Sequence, residues 1–102
     1  MPLSRMQFHH LIAQLPNARS YKQKRIYTLY GIKDNFILFK REKNMAKKPE
    51  KLPFDELWNI YQHLDYIDTQ NVQRFIKQWM YSPACAILMA AGIYSYDGIR
   101  QL

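Results

Sequence analysis

Apolar positions in the first stretch of the chain recur at helical spacing: Phe8, Leu11, Ile12 and Leu15 stand at i, i+3, i+4 and i+7. The start of that helix is written in its neighbours. Ser4 is a cap residue, Gln7 three positions on closes a capping box, and Leu3 is placed to staple onto Phe8. Pro16 stops the helix. The pattern then changes. Residues 26–32 and 36–41 are dense in β-branched and aromatic side chains, and Lys33, Asp34 and Asn35 lie between them. Asp and Asn tolerate the positive φ of a tight turn, so this stretch predicts an antiparallel β-hairpin. Both strands are apolar through their middles, which requires cover on at least one face. Residues 17–25 are polar and basic, a loop or the lead-in to a strand. Residues 44–50 lack periodicity and read as an exposed loop, and Lys51, Leu52 and Pro53 as a short edge strand.

Helical spacing returns with Phe54, Leu57, Trp58, Tyr61 and Leu64. A further helix is predicted over residues 70–80, with Asp65 or Asp68 as its cap. It places Val72, Phe75, Ile76, Trp79 and Met80 on one side, opposite Gln70, Asn71, Gln73, Arg74, Lys77 and Gln78. The last helix differs in kind. Ser82 is a good N-cap, Pro83 suits a first helical position, and Gly92 suits the left-handed residue that ends a helix. Residues 84–91 between them carry no polar side chain, so this helix has no face for water and should form a central post buried on several sides. The fold class expected is α+β: an N-terminal helix, an antiparallel hairpin with a third short strand, and a C-terminal three-helix unit around the buried helix. All of it belongs to one domain over residues 1–102.

Composition narrows the setting. The longest apolar run has eight residues, far below the roughly 20 that span a bilayer. The first residues lack the pattern of a secretory signal. Cys85 is the only cysteine and sits in the most apolar helix, so it reads as a buried thiol and excludes a disulfide framework. These features fit a soluble, cytoplasmic protein that makes no membrane contact.

Charge changes the picture more. The net charge is +7, and residues 19–51 hold eleven basic and three acidic side chains, leaving −1 for the rest. A block of one sign creates a directional field whose natural partner is a polyanion. In an antiparallel hairpin, Lys24 and Arg25 on entry lie beside Lys40, Arg41 and Lys43 on exit.

Reactive chemistry is sparse. His9 and His10 are adjacent and point apart, and His63 is remote, so no metal site is expected. Gly31, Gly92 and Gly98 are too scattered to cradle a phosphate. Ser82 and Cys85 have no histidine near them in sequence. Asp34 and the Glu42-Lys43 pair fall at opposite ends of a strand, which argues against a metal-dependent nuclease. A helix-turn-helix reader is disfavoured because the last helix is wholly apolar.

The expectation is a small non-catalytic protein, without cofactor, that binds nucleic acid, DNA or RNA. Lys22, Lys24, Arg25, Lys40, Arg41, Lys43, Lys47 and Lys48 would hold phosphates. Arg74 and Lys77, with Gln73 and Asn71, would form a second surface. Tyr21 and Tyr27 are candidates for stacking on unpaired bases. The alternative is a protein-binding module, such as a small inhibitor or adaptor docking on a larger nucleic-acid-handling partner, which the same charge would steer equally well. Self-association into a homo-oligomer through the hairpin's exposed edge is compatible with either.

Overall fold

The computed structural model describes residues 2–20 and 25–102. Among them the chain forms helices α1 (Arg5–Ala13), α2 (Phe54–His63) and α3 (Tyr81–Ala90) and strands β1 (Asn17–Ser20), β2 (Arg25–Lys33), β3 (Phe36–Arg41) and β4 (Glu50–Pro53). The strands make one antiparallel sheet in the order β1-β2-β3-β4. The α+β class holds, and the expected hairpin is the middle of a larger sheet. Among the described residues, no helix is long and apolar enough to cross a membrane.

The N-terminal helix forms as its sequence directs. The Ser4 hydroxyl accepts the Gln7 N–H at 3.1 Å, and the Gln7 side chain accepts the Ser4 N–H at 2.9 Å. Its buried face sets Phe8 against Phe54, Trp58 and Tyr61, with ring centres 5.2–5.6 Å apart. Ser4→Ala should therefore cost about 1 kcal/mol, read as a lower denaturant midpoint.

Asp34 and Asn35 both take positive φ, 53° and 65°, which makes the two-residue turn whose twist suits a hairpin. The Asn35 carbonyl accepts the Phe54 N–H at 2.9 Å, so the same turn seats the start of α2. Lys51, Leu52 and Pro53 do form an edge strand, extended by Glu50. Residues 17–20, read as loop or lead-in, are strand β1 paired to β2, and only Ala18 of the four is fully buried. That small side chain suits the close packing of α3 on β1, where Ala84 and Ala86 are also buried.

The sheet has two unlike faces, because successive strand residues point opposite ways. Ala18, Tyr27, Leu29, Ile37, Phe39 and Leu52 point into the core that all three helices share. Arg19, Ile26, Thr28, Leu38, Lys40 and Lys51 point away and are exposed or half-buried.

The burial expected of α3 holds for residues 83–88, while Met89, Ala90 and Ala91 are half-buried and the helix packs on the edge strand β1. Its end is as expected. Gly92 takes φ +74°, its N–H reaches the Met89 carbonyl at 3.0 Å, and the Ile93 N–H reaches Leu88 at 3.2 Å. That pair of bonds satisfies carbonyls the helix leaves open. Its start is not. Met80 is the N-cap and makes no side-chain cap bond. The Ser82 hydroxyl lies 3.0 Å from the Tyr27 hydroxyl, tying helix to sheet.

The expected helix over residues 70–80 does not form, so the C-terminal part has two helices joined by turns rather than a three-helix unit. Turns stand in its place: the Val72 N–H reaches the Asp68 carbonyl at 3.3 Å and the Ile76 N–H the Val72 carbonyl at 3.2 Å, without a continuous ladder. Asp68 accepts the Gln70 and Asn71 N–H groups at 3.0 and 2.7 Å, Asn71 accepts from the Asp68 N–H at 2.9 Å, and its amide donates to the Tyr66 carbonyl at 2.7 Å. Val72, Ile76 and Met80 are buried as their spacing suggests, but Trp79 is 88% exposed. After Gly92 the chain is anchored: Tyr94 is buried and its hydroxyl donates to the Leu64 carbonyl at 2.6 Å.

Glu56 is a buried carboxylate on α2 that accepts the Lys77 N–H at 3.4 Å. Burial raises its pKa, with the Lys77 N–H and charge pulling the other way. An acid whose pKa is raised by folding lowers stability as pH climbs from the unfolded value through the folded one. Glu56→Gln keeps the acceptor and removes the charge. It should raise the melting temperature at neutral pH, and the gain should vanish in acid below the ordinary carboxylate range.

Candidate nucleic-acid interface

At the open end of the β2–β3 pair, Tyr27 stands opposite Arg41 and Thr28 opposite Lys40, while β1 sets Ser20 opposite Arg25. Beyond Arg41 the chain tightens into a 3-10 turn, Glu42–Asn44. A cleft of about 460 Å³ results, lined by Arg25, Arg41, Lys43, Glu42, Asn44, Ile26 and Tyr27. Its three cations come from segments that only the hairpin brings together.

The three are not equivalent. Arg41 donates to both carboxylate oxygens of Glu50, at 2.8 and 3.3 Å, and its guanidinium lies 5.9 and 5.8 Å from the ring centres of Tyr27 and Phe39. It is half-buried and its charge is matched, contrary to the exposed position its sequence context suggests. Arg25 and Lys43 are exposed and have no ion-pair partner among the described residues. Lys47 and Lys48 are exposed in the loop that follows. Lys40 turns to the outward face of the sheet, where its ammonium donates to the Met45 carbonyl at 3.0 Å. Tyr21, Lys22 and Lys24 lie outside the described residues.

Tyr27 cannot stack on a base. It is fully buried, edge-on to Phe39 with ring centres 5.9 Å apart, because it shares the inward parity of Leu29. Arg74 and Lys77 are exposed, but on the turn segment rather than a helix face. Arg74 lies 5.3 Å from the Phe75 ring centre, and Lys77 is anchored to the first turn of α2 through Glu56. No hydrogen bond or ion pair among the described residues joins them to the cleft. Asn71, read as a surface amide, spends its side chain on the backbone at residues 66 and 68.

The acids of α2 do not cancel the cleft. Asp55 is held by Arg5 and by Asn35, and the Arg5 hydrogen bond foremost keeps its carboxyl below the ordinary range. Glu56 faces Lys77.

A second cavity of about 350 Å³ lies along one side of α3, against the chain after α2, lined among others by Ser82, Cys85, Met89, Asp68, Thr69 and Tyr66. Burial first, and then the Asp68 charge, pushes the Cys85 thiol up to about 12. It therefore stays protonated and is a poor nucleophile. No histidine lines this cavity. Among the described residues no three His, Cys, Asp or Glu side chains group closely enough to hold a metal ion.

The residues that sequence reasoning passed over are on the outward sheet face. Tyr30 and Phe36 are exposed there, with the Lys40 ammonium 5.6 Å from the Tyr30 ring centre and that of Lys51 5.8 Å from Phe36. Strand alternation carries the signal, but only once the covered face is known. Comparison of the chain with protein-family models, curated proteins and solved structures gives no significant match.

Proposed function

We propose that this is a small non-catalytic nucleic-acid-binding protein that holds phosphates at the open end of its central hairpin. The observation that carries the reading is the cleft bordered by Arg25 and Lys43, which lack ion-pair partners among the described residues. Lys47 and Lys48 are exposed in the loop that follows, and Lys22 and Lys24 belong to the same basic block of sequence. Arg25 and Lys43 give phosphate contacts that fix orientation without reading sequence. Arg41 acts as a strut: its pairing with Glu50 and its seat against Tyr27 and Phe39 hold the cleft's wall in shape.

Binding of a labelled duplex across a salt series tests the reading. With about five phosphates neutralised, log K should fall against log salt with a slope of roughly −4 to −5. A flat response at measurable affinity, or no affinity at low salt, would overturn it. A protein partner captured equally well after nuclease treatment, with no affinity for nucleic acid, would favour docking on a larger protein instead.

A further inference from the structure

We infer that the uncovered face of the sheet is a stacking platform for single-stranded nucleic acid, with Tyr30 and Phe36 as its ring surfaces. The inference rests on the nucleic-acid reading above and narrows it to one class of ligand. All three helices bury residues in the core on the opposite face, and Tyr30 and Phe36 are 47% and 36% exposed. Single exposed apolar residues are ordinary on any surface. Here the ladder turns two rings to one face.

A bulge does the placing. Leu29 pairs with Phe39 and Ile32 with Ile37, so Tyr30 and Gly31 together oppose Leu38. Gly31 takes φ +87°, a conformation open to glycine, and absorbs the extra residue. Ile32 thereby returns to the core side, where it packs on the buried cluster, while Tyr30 stays outward. Phe36 also points outward, two positions along β3 from Leu38, the residue that Tyr30 and Gly31 oppose.

The charge around the rings is of one sign. Lys40 flanks Tyr30 and Lys51 flanks Phe36. Arg19 and Lys33 are the other cations at outward strand positions, and no outward strand position carries a carboxylate. Glu50 is paired to Arg41, and Asp34 and Glu42 fall beyond the strand ends. Rings bordered by cations match a ligand with a π face on every base and a phosphate beside it. A duplex hides its base faces in the stack and has no use for the rings. A second copy of this chain would bring the same four cations face to face. Lys40 also bonds the Met45 carbonyl in the loop after the 3-10 turn, so the platform and the cleft adjoin at the hairpin's open end.

Fluorescence anisotropy with labelled oligo-dT, and with the same strand annealed to oligo-dA, separates the two readings. The unaltered protein should bind oligo-dT at least about tenfold more tightly than duplex. Tyr30→Ala with Phe36→Ala should weaken oligo-dT binding by about tenfold or more and leave duplex binding nearly unchanged. Tyr30→Phe, which keeps the ring, should retain affinity. Preference for duplex, or a double variant that alters neither ligand, overturns the platform and leaves the phosphate cleft standing. No binding of either ligand at low salt removes both readings. Ultraviolet cross-linking of the unaltered protein to oligo-dT needs no substitution: adducts at Tyr30 or Phe36 support the platform, and adducts confined elsewhere overturn it. A dimer in light scattering that Phe36→Ala dissociates would also overturn it, by giving the face to a second copy.

Discussion

Leu88→Ala should cost about 2–5 kcal/mol of stability, read as a fall in the urea midpoint at unchanged slope. Leu88 is fully buried in the last turn of α3, and its carbonyl receives the N–H groups of Ile93 and Tyr94 at 3.2 and 3.3 Å. The side chain thus sits where the central helix ends and the C-terminal segment is tied back to it. Truncation leaves a cavity beside backbone that these bonds hold in place, so relaxation can recover little. Against a typical total of about 5–15 kcal/mol, that loss is a large share. Ala90→Ser, at a half-buried position of the same helix, is the comparison and should cost far less. A nearly neutral Leu88→Ala would mean that α3 is not the element the core is built on.

Arg25→Glu combined with Lys43→Glu should cut duplex affinity by about tenfold or more at low salt and flatten the salt slope to roughly −2 to −3. Both side chains are exposed and neither has an ion-pair partner among the described residues, so the melting temperature should barely move. Arg41→Glu is the instructive contrast. It removes the partner of Glu50, sets a second carboxylate beside it, and strips the guanidinium from Tyr27 and Phe39. Binding and stability should fall together there. If the double reversal lowers stability as much as Arg41→Glu does, the cleft cations hold the fold rather than a ligand.

What could be read in advance was local. The Ser4–Gln7 capping box, the Asp34-Asn35 turn and the Gly92 helix end each depend on residues within a few positions of one another, and each forms as its chemistry dictates. Strand β1 was hidden because Ala18 is its one core residue, too few to show the alternation of a strand, and its partners lie five to eleven residues on. Residues 70–80 carry a helical spacing of apolar positions, yet the chain there forms separate turns, and the spacing alone does not distinguish the two. The candidate site divides the same way. That cations gather at the hairpin's open end follows from antiparallel pairing. That Arg41 is matched by Glu50 requires β4, which pairs Phe39 with Glu50. Tyr27 and Tyr30 look alike in sequence. Which faces water depends on the face the helices cover, and therefore on contacts far apart in the chain.

Chemical-shift mapping of the nitrogen-labelled, unaltered protein titrated with oligo-dT tests the central claim without altering a residue. Shifts should concentrate at Arg25, Lys43, Lys47 and Lys48, extend to Tyr30 and Phe36, and weaken as salt rises. Shifts gathered around Arg74, Lys77 and Trp79 with the hairpin silent, or no shifts at low salt, would contradict it.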